Sequence, residues 1–259
     1  MKAKVVWIPR VFAAFFAVLT ALLSAACARD AQKDSSSSIG KSTLNSPQFY
    51  ALQSSSPAGS LTVHPLGNLI LPSGKLEASD PFVGLGDAIA VINVPAGTYP
   101  VFVTICEVEP NHFREAYLSV VFSDAKPAGL VLFDENGAIP FSDEAEHLMV
   151  FVDAGTVAFA DSEAIATAMP DHKDWYAKLF NNGKEDLWFS LMDSPKHLIK
   201  GSANIVMPNA TQGENVVMTH SGWGDGAYSI VGTVDAAGKL LAVHIDLGVA
   251  YGEEADEDN

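Results

Sequence analysis

The residues with the most chemistry per position lie between Ser221 and Tyr228: Ser221-Gly222-Trp223-Gly224-Asp225-Gly226-Ala227-Tyr228. Three closely spaced glycines allow positive φ or a close approach of the backbone to another group. Two readings follow. Trp223 stacks on a ligand while Asp225 orients its polar group, with Tyr228 and Asp153 completing a ligand-binding set. Alternatively the segment is a structural loop, in which Trp223 plugs the core and Asp225 and the glycines hold a tight corner. An enzyme would instead draw on Asp153, His220, Asp225 and Asp246, as a hydrolase or a metal-dependent catalyst. No G-x-S-x-G elbow surrounds Ser221, and neighbouring strand residues face opposite sides, so His220 and Ser221 do not pair as base and nucleophile.

Metal chemistry finds little support. The seven histidines (His64, His112, His147, His172, His197, His220 and His244) are scattered, with no H-E-x-x-H. Asp153 and Asp161 flank one predicted hairpin, and Asp225 and Asp246 lie near the Trp223 segment. A calcium site built from them would have to be assembled from distant segments, because no D-x-[DN]-x-[DN]-G loop is present. Asp153 has the simpler role of capping its own turn before Gly155. No catalytic residue, metal or cofactor is assigned. Cys106, within Val101-Phe102-Val103-Thr104-Ile105-Cys106, reads as a small core residue.

The elements that must carry these side chains are short and β-prone. Candidate strands are Leu61–Val63, Ala88–Val94, Pro100–Glu109, Glu115–Phe122, Gly129–Phe133, Leu148–Val152, Thr156–Ala160, Asn204–Met207, Asn215–His220, Tyr228–Val234 and Leu240–Val249. Pro72-Ser73-Gly74, Pro95-Ala96-Gly97, Asp153-Ala154-Gly155 and Ala236-Ala237-Gly238 separate them as turns. This spacing predicts a mainly β fold, an antiparallel sandwich or barrel-like sheets with one or two short helices. Two hairpins are expected, Val231–Val234 with Leu240–Val243 and Val150–Val152 with Thr156–Phe159. Ser162 and Asp171 are the expected helix N-caps, the second helix running from His172 to about Asn182 before Gly183. No βαβ rhythm or G-x-G-x-x-G points to nucleotide binding.

The N-terminus reads as an address. Lys2, Lys4 and Arg10 precede an uncharged run, Val11 to Leu23, which falls short of the ~20 residues that span a bilayer. Ser24, Ala25, Ala26 and Cys27 follow. Leu23-Ser24-Ala25-Ala26-Cys27 resembles the lipobox of bacterial lipoproteins, although the place three before the cysteine holds Ser24 and Leu23 lies one further back. The resemblance implies lipidation of Cys27. Cleavage at Ala26-Cys27-Ala28 is the rival and would release a soluble secreted protein. The organisation expected is a signal peptide over 1–26, a Ser-rich tether over 27–58, a single β-rich domain over 59–250 and an acidic, disordered tail over 251–259. Within the tether, Phe49-Tyr50 is the exception, with the chemistry to dock on the domain.

Of the 259 residues, 15 are Lys or Arg and 31 are Asp or Glu, a formal charge of −16, made more negative by removing the basic leader. Such a balance excludes a nucleic-acid partner, since phosphate neutralisation needs clustered cations. It leaves a membrane partner reached through an N-terminal lipid, and an unidentified small ligand or protein. A basic target, steered by charge to an immunity- or inhibitor-like protein, is a further alternative.

Four phrases carry a resemblance over about residues 66–250: Leu71-Pro72-Ser73-Gly74-Lys75-Leu76 running into Asp80-Pro81-Phe82; Val94-Pro95-Ala96-Gly97-Thr98-Tyr99-Pro100-Val101; Val152-Asp153-Ala154-Gly155-Thr156; and Ser221 to Tyr228, followed by Gly232 and Asp246. In this order they resemble the bacterial family called domain of unknown function 4241. The resemblance implies a β-rich domain and no activity. The function expected is that of an uncharacterised, exported, lipid-anchored and non-catalytic binding module in the cell envelope, facing the periplasm or the exterior.

Overall fold

The computed structural model describes residues 49–181 and 183–252. The expected signal peptide, Cys27, most of the expected tether and the acidic tail from Glu253 lie outside the described residues. In chain order the strands are β1 (Ser55–Ser56), β2 (Gly59–Leu71), β3 (Lys75–Ser79), β4 (Val91–Asn93), β5 (Gly97–Glu109), β6 (His112–Val121), β7 (Gly129–Asp134), β8 (Gly137–Pro140), β9 (Met149–Val152) and β10 (Thr156–Asp161). Helix α1 (Ser162–Ala168) and α2 (Trp188–Met192) then bracket two helical turns, His172–Asp174 and Tyr176–Phe180. The chain closes with β11 (Ser202–Val206), β12 (Asn215–His220), β13 (Gly226–Val234) and β14 (Leu240–Asp246).

The strands form two antiparallel sheets, so the fold is mainly β as the spacing predicts. The larger has the order β1-β2-β5-β6-β14-β13-β7-β8, with β9 also paired to β13; the smaller is β11-β12-β10-β3-β4. Alternation decides what lies between them. Val101, Val103, Leu118 and Val120 from the larger sheet share one core with Val157, Phe159 and Val217 from the smaller. The opposite face of the smaller sheet, with Ala158, Met218 and Ala203, is covered by the helical segment through Ile165, Trp175 and Trp188. A free stretch of β2 would otherwise expose its backbone groups. Two asparagines satisfy them: Asn204 Nδ2 donates to Leu66 O (2.8 Å), Asn215 Nδ2 donates to Asn68 O (2.8 Å), and Ile70 N donates to Asn215 Oδ1 (2.9 Å).

The outward face of the larger sheet carries an unusual polar row. His244 is 1% exposed and bonds Ser119 Oγ through Nδ1 (2.8 Å) and Thr233 Oγ1 through Nε2 (3.3 Å). Asp246 accepts bonds from Gly248 N (3.0 Å) and the Tyr251 hydroxyl. Residues 49–52 cover this row. Phe49 packs edge-on against Tyr117 and His244, and the Tyr117 hydroxyl accepts from Tyr50 N (3.3 Å) and donates to Tyr251 (3.4 Å). The chain is therefore already packed at Phe49, and Tyr251 is pinned to the body.

Three expectations need correction. Val150–Val152 and Thr156–Phe159 are not a hairpin: β9 pairs with β13 in the larger sheet and β10 with β12 and β3 in the smaller. The turn at 153–155 carries the chain from one sheet to the other. The cap of α1 is Asp161, one residue before Ser162. Its carboxyl accepts from Glu163 N (3.1 Å) and Ala164 N (3.0 Å), and also from Ser73 N (2.8 Å), tying the helix to the Pro72-Ser73-Gly74 corner. In place of a helix from His172, a 3₁₀ turn capped by Asp171 is followed by a single π turn.

Candidate functional site

A cleft of about 880 Å³ opens beside the free edge of β6, where β14 no longer pairs with it. The floor comes from the larger sheet: Thr62 and His64 on β2, Ile105 on β5, and Glu115 on β6. One irregularity makes this floor. The register passes from Thr104↔Tyr117 to Ile105↔Glu115, leaving Ala116 as an extra residue on β6. A β-bulge re-aims the side chains beyond it. Glu115 thereby leaves the face it would have shared with Tyr117 and joins Ile105 and Thr62.

The second wall is the turn Ala154-Gly155, and the third is the loop Ser221–Gly224. A single carboxyl orders the turn. Asp80 is 2% exposed; its Oδ2 accepts from Asp153 N (3.0 Å) and Ala154 N (2.7 Å), and its Oδ1 from Thr156 Oγ1 (2.9 Å) and Phe82 N (3.1 Å). Asp225 links turn to loop by accepting from Gly155 N (3.1 Å). The loop is closed by Ser221 Oγ and the Tyr228 hydroxyl, both donating to Gly224 O (2.6 and 2.7 Å). Gly222 has φ +70°, and a Cβ there would lie 2.6 Å from Glu115 O, so only glycine lets the loop sit against β6. Three of the four phrases noted in the sequence, those holding Asp80, Asp153–Thr156 and Ser221–Tyr228, thus interlock to make two walls of one cleft.

Charged groups gather at the opening. Trp223 is 56% exposed, with the Arg114 guanidinium 5.2 Å from its ring centre, within cation–π range. Arg114 Nε is buried without a hydrogen-bond partner, and among the described residues the side chain joins no ion pair. Burial pushes the Glu115 carboxyl above its usual range, and the neighbouring His220 and Arg114 only partly offset that. A Cβ on Gly201 would lie 2.6 Å from Glu115 Oε1 and 3.0 Å from His220 Cδ2, so glycine at this position leaves the two groups room side by side. His220 Nε2 also lies 3.6 Å from Asp193 Oδ1.

The residues singled out in the sequence fall in different places. Trp223 lines the cleft, and so does His220; Asp225 braces the wall, and Tyr228 is a buried support for the loop. Asp153 contributes its backbone to the Asp80 cluster, and its side chain is exposed. Asp246 sits in the outward polar row with Tyr251, not with His220. The four side chains invoked for an enzyme are therefore not brought together. Ser221 Oγ is committed to Gly224 O, and no cluster of three metal-ligating side chains occurs among the described residues. Sequence reasoning missed Glu115 and Arg114. The signal was present as two adjacent charges inside an otherwise β-prone run, where strand alternation expects one to be buried.

Neither a curated protein nor a solved structure matches the chain. Residues 69–245 match a family described as "Protein of unknown function (DUF4241)", and the matched stretch takes in every wall of the cleft except the two β2 residues. The chain belongs to the DUF4241 family.

Proposed function

We propose that this protein is an exported, lipid-anchored and non-catalytic module that holds a small ligand in the cleft beside β6. The observation that carries the reading is Trp223, left 56% exposed at the mouth with Arg114 against its face. A large aromatic ring held in water by a rigid loop, beside charged groups with few protein partners, is what a binding site requires and a packed corner does not. Export rests on the basic leader, the short apolar run and Cys27. The Ser-rich stretch behind Cys27 would set the domain off from the bilayer.

Thermal denaturation of the full chain across a library of metabolites tests the binding. A ligand of the folded state raises the melting temperature by mass action, by about 2.7 kcal/mol of stability at a hundredfold excess over Kd. Thr62 is exposed on the cleft floor, so Thr62→Trp fills the site on a residue type that strands accept. The expected result is a saturable rise for the natural sequence and none for T62W. A rise that T62W retains, or no rise across the library, overturns the reading. Intact mass of the membrane-extracted protein tests the anchor: a diacylglyceryl group on Cys27 supports it, and a chain beginning at Arg29 overturns it.

A further inference from the structure

We infer that the cleft selects a small organic anion, a carboxylate or phosphate monoester carried on a flat apolar body. The inference rests on the binding role proposed for this cleft and names the class of its ligand. The domain as a whole is acidic, so its long-range field repels anions. The cleft departs from that pattern. Arg114, the single arginine among the described residues, lines it together with Lys200, and among the described residues neither joins an ion pair. Arg114 has a buried Nε–H with no acceptor, a state that costs free energy until an acceptor arrives. The planar fork of a guanidinium fits carboxylate or phosphate oxygens with two parallel bonds.

The local negative groups do not cancel this preference. Glu115 is the one carboxyl side chain in the lining, and its burial raises its pKa, so an anion bound nearby meets a single carboxylate whose charge the fold already disfavours. Asp225 is turned to Gly155 N, and Asp193 faces His220 at the outer side. Ile105, Phe113 and Trp223 supply the apolar surface, with Phe113 and Trp223 each 56% exposed. A charged head on Arg114 and Lys200 with a ring against these three would engage the cations and the apolar surface of the lining together.

Four probes of one size separate the possibilities when titrated calorimetrically into the full chain at low ionic strength: benzoate, phenyl phosphate, benzyl alcohol and benzylamine. Expected are saturable binding of at least one anion, at least tenfold weaker binding of the alcohol, and no binding of the amine; the stronger anion identifies the headgroup. Arg114→Gln should weaken the anion about 10- to 100-fold, as loss of a charged hydrogen bond does. Lys200→Gln, at an exposed position with no fold to disturb, should weaken it several-fold, and Glu115→Gln should strengthen it at neutral pH. Equal or tighter binding of the alcohol or amine, or unchanged anion affinity in both R114Q and K200Q, overturns the inference. If such neutral or cationic binding is abolished by T62W, the cleft remains a binding site and the anion class alone falls. If none of the four probes binds, the anion class falls as well, and the metabolite library decides the cleft separately.

Discussion

Replacing Asp80 with alanine is expected to lower the stability of the domain by about 3–5 kcal/mol, because four donors, one buried and three partly buried, lose their acceptor in one step. Asp153 N, Ala154 N, Thr156 Oγ1 and Phe82 N all converge on this carboxyl, which is only 2% exposed. For a domain of this length the shift corresponds to a fall in melting temperature on the order of 10 °C. Asn should cost roughly half as much, since its amide oxygen still serves two donors while its NH₂ faces Phe82 N unfavourably. Denaturant unfolding of the three proteins checks the order. A cost under about 1 kcal/mol for alanine would mean that the 153–156 turn is held by other means. The consequence for the cleft is direct, because the turn that Asp80 holds is one of its walls; any ligand should lose affinity in D80A without contact between Asp80 and the ligand.

The second large effect is on the pH dependence of stability, through two buried groups that act in opposite directions. Burial pushes His244 down to about 3 from a normal 6.5. As pH falls below 6.5 the unfolded chain takes up the proton while the folded one does not, so stability is lost, about 3 kcal/mol of it by pH 4. Burial pushes Asp246 up to about 6 from 3.8, despite the bonds from Tyr251 and Gly248. Here the folded form protonates first, so stability is gained as pH falls from 7 to 4, by about 2 kcal/mol. In the natural sequence these two contributions largely offset each other. His244→Gln should gain stability on acidification relative to the natural protein, and Asp246→Asn should lose it. Unfolding free energies measured at pH 7 and pH 4 for the three proteins check this. Parallel pH profiles would show that neither group's pKa differs between the folded and unfolded states.

The β character was readable from the sequence because it depends on local signals: β-branched runs, alternation, and the turns at Pro72–Gly74 and Ala236–Gly238. Asn215–His220 and Gly129–Phe133 stand in the structure nearly as written. What was not readable depends on which sheet a strand joins. Val150–Val152 and Thr156–Phe159 look like hairpin arms in isolation, yet all six residues of β10 are buried. A strand covered on both faces belongs at the middle of a sheet, and that is where β10 lies. β3 escaped notice because Lys75-Leu76-Glu77-Ala78-Ser79 is polar by composition. Its Glu77 is buried nonetheless and accepts from Gly86 N (2.8 Å). The cleft was half legible. Trp223 and its glycines announced themselves, but Glu115 depends on a bulge at Ala116 that no residue type advertises. Asp246 looked like a partner of His220 only because sequence does not show that β12 and β14 belong to different sheets.

The meeting of Phe49–Tyr50 and Tyr251 over Tyr117 has a topological consequence. Tyr50 and Tyr251 lie with ring centres 6.1 Å apart, so a few residues of linker could close the described chain into a loop. The backbone could then be cut within the exposed turn Asp235–Lys239, giving a circular permutant in which the β13–β14 pairing and both sheets are formed from the same strands in a new order. In that rearranged chain, both new ends would leave from the tip of a hairpin instead of from beside Tyr117.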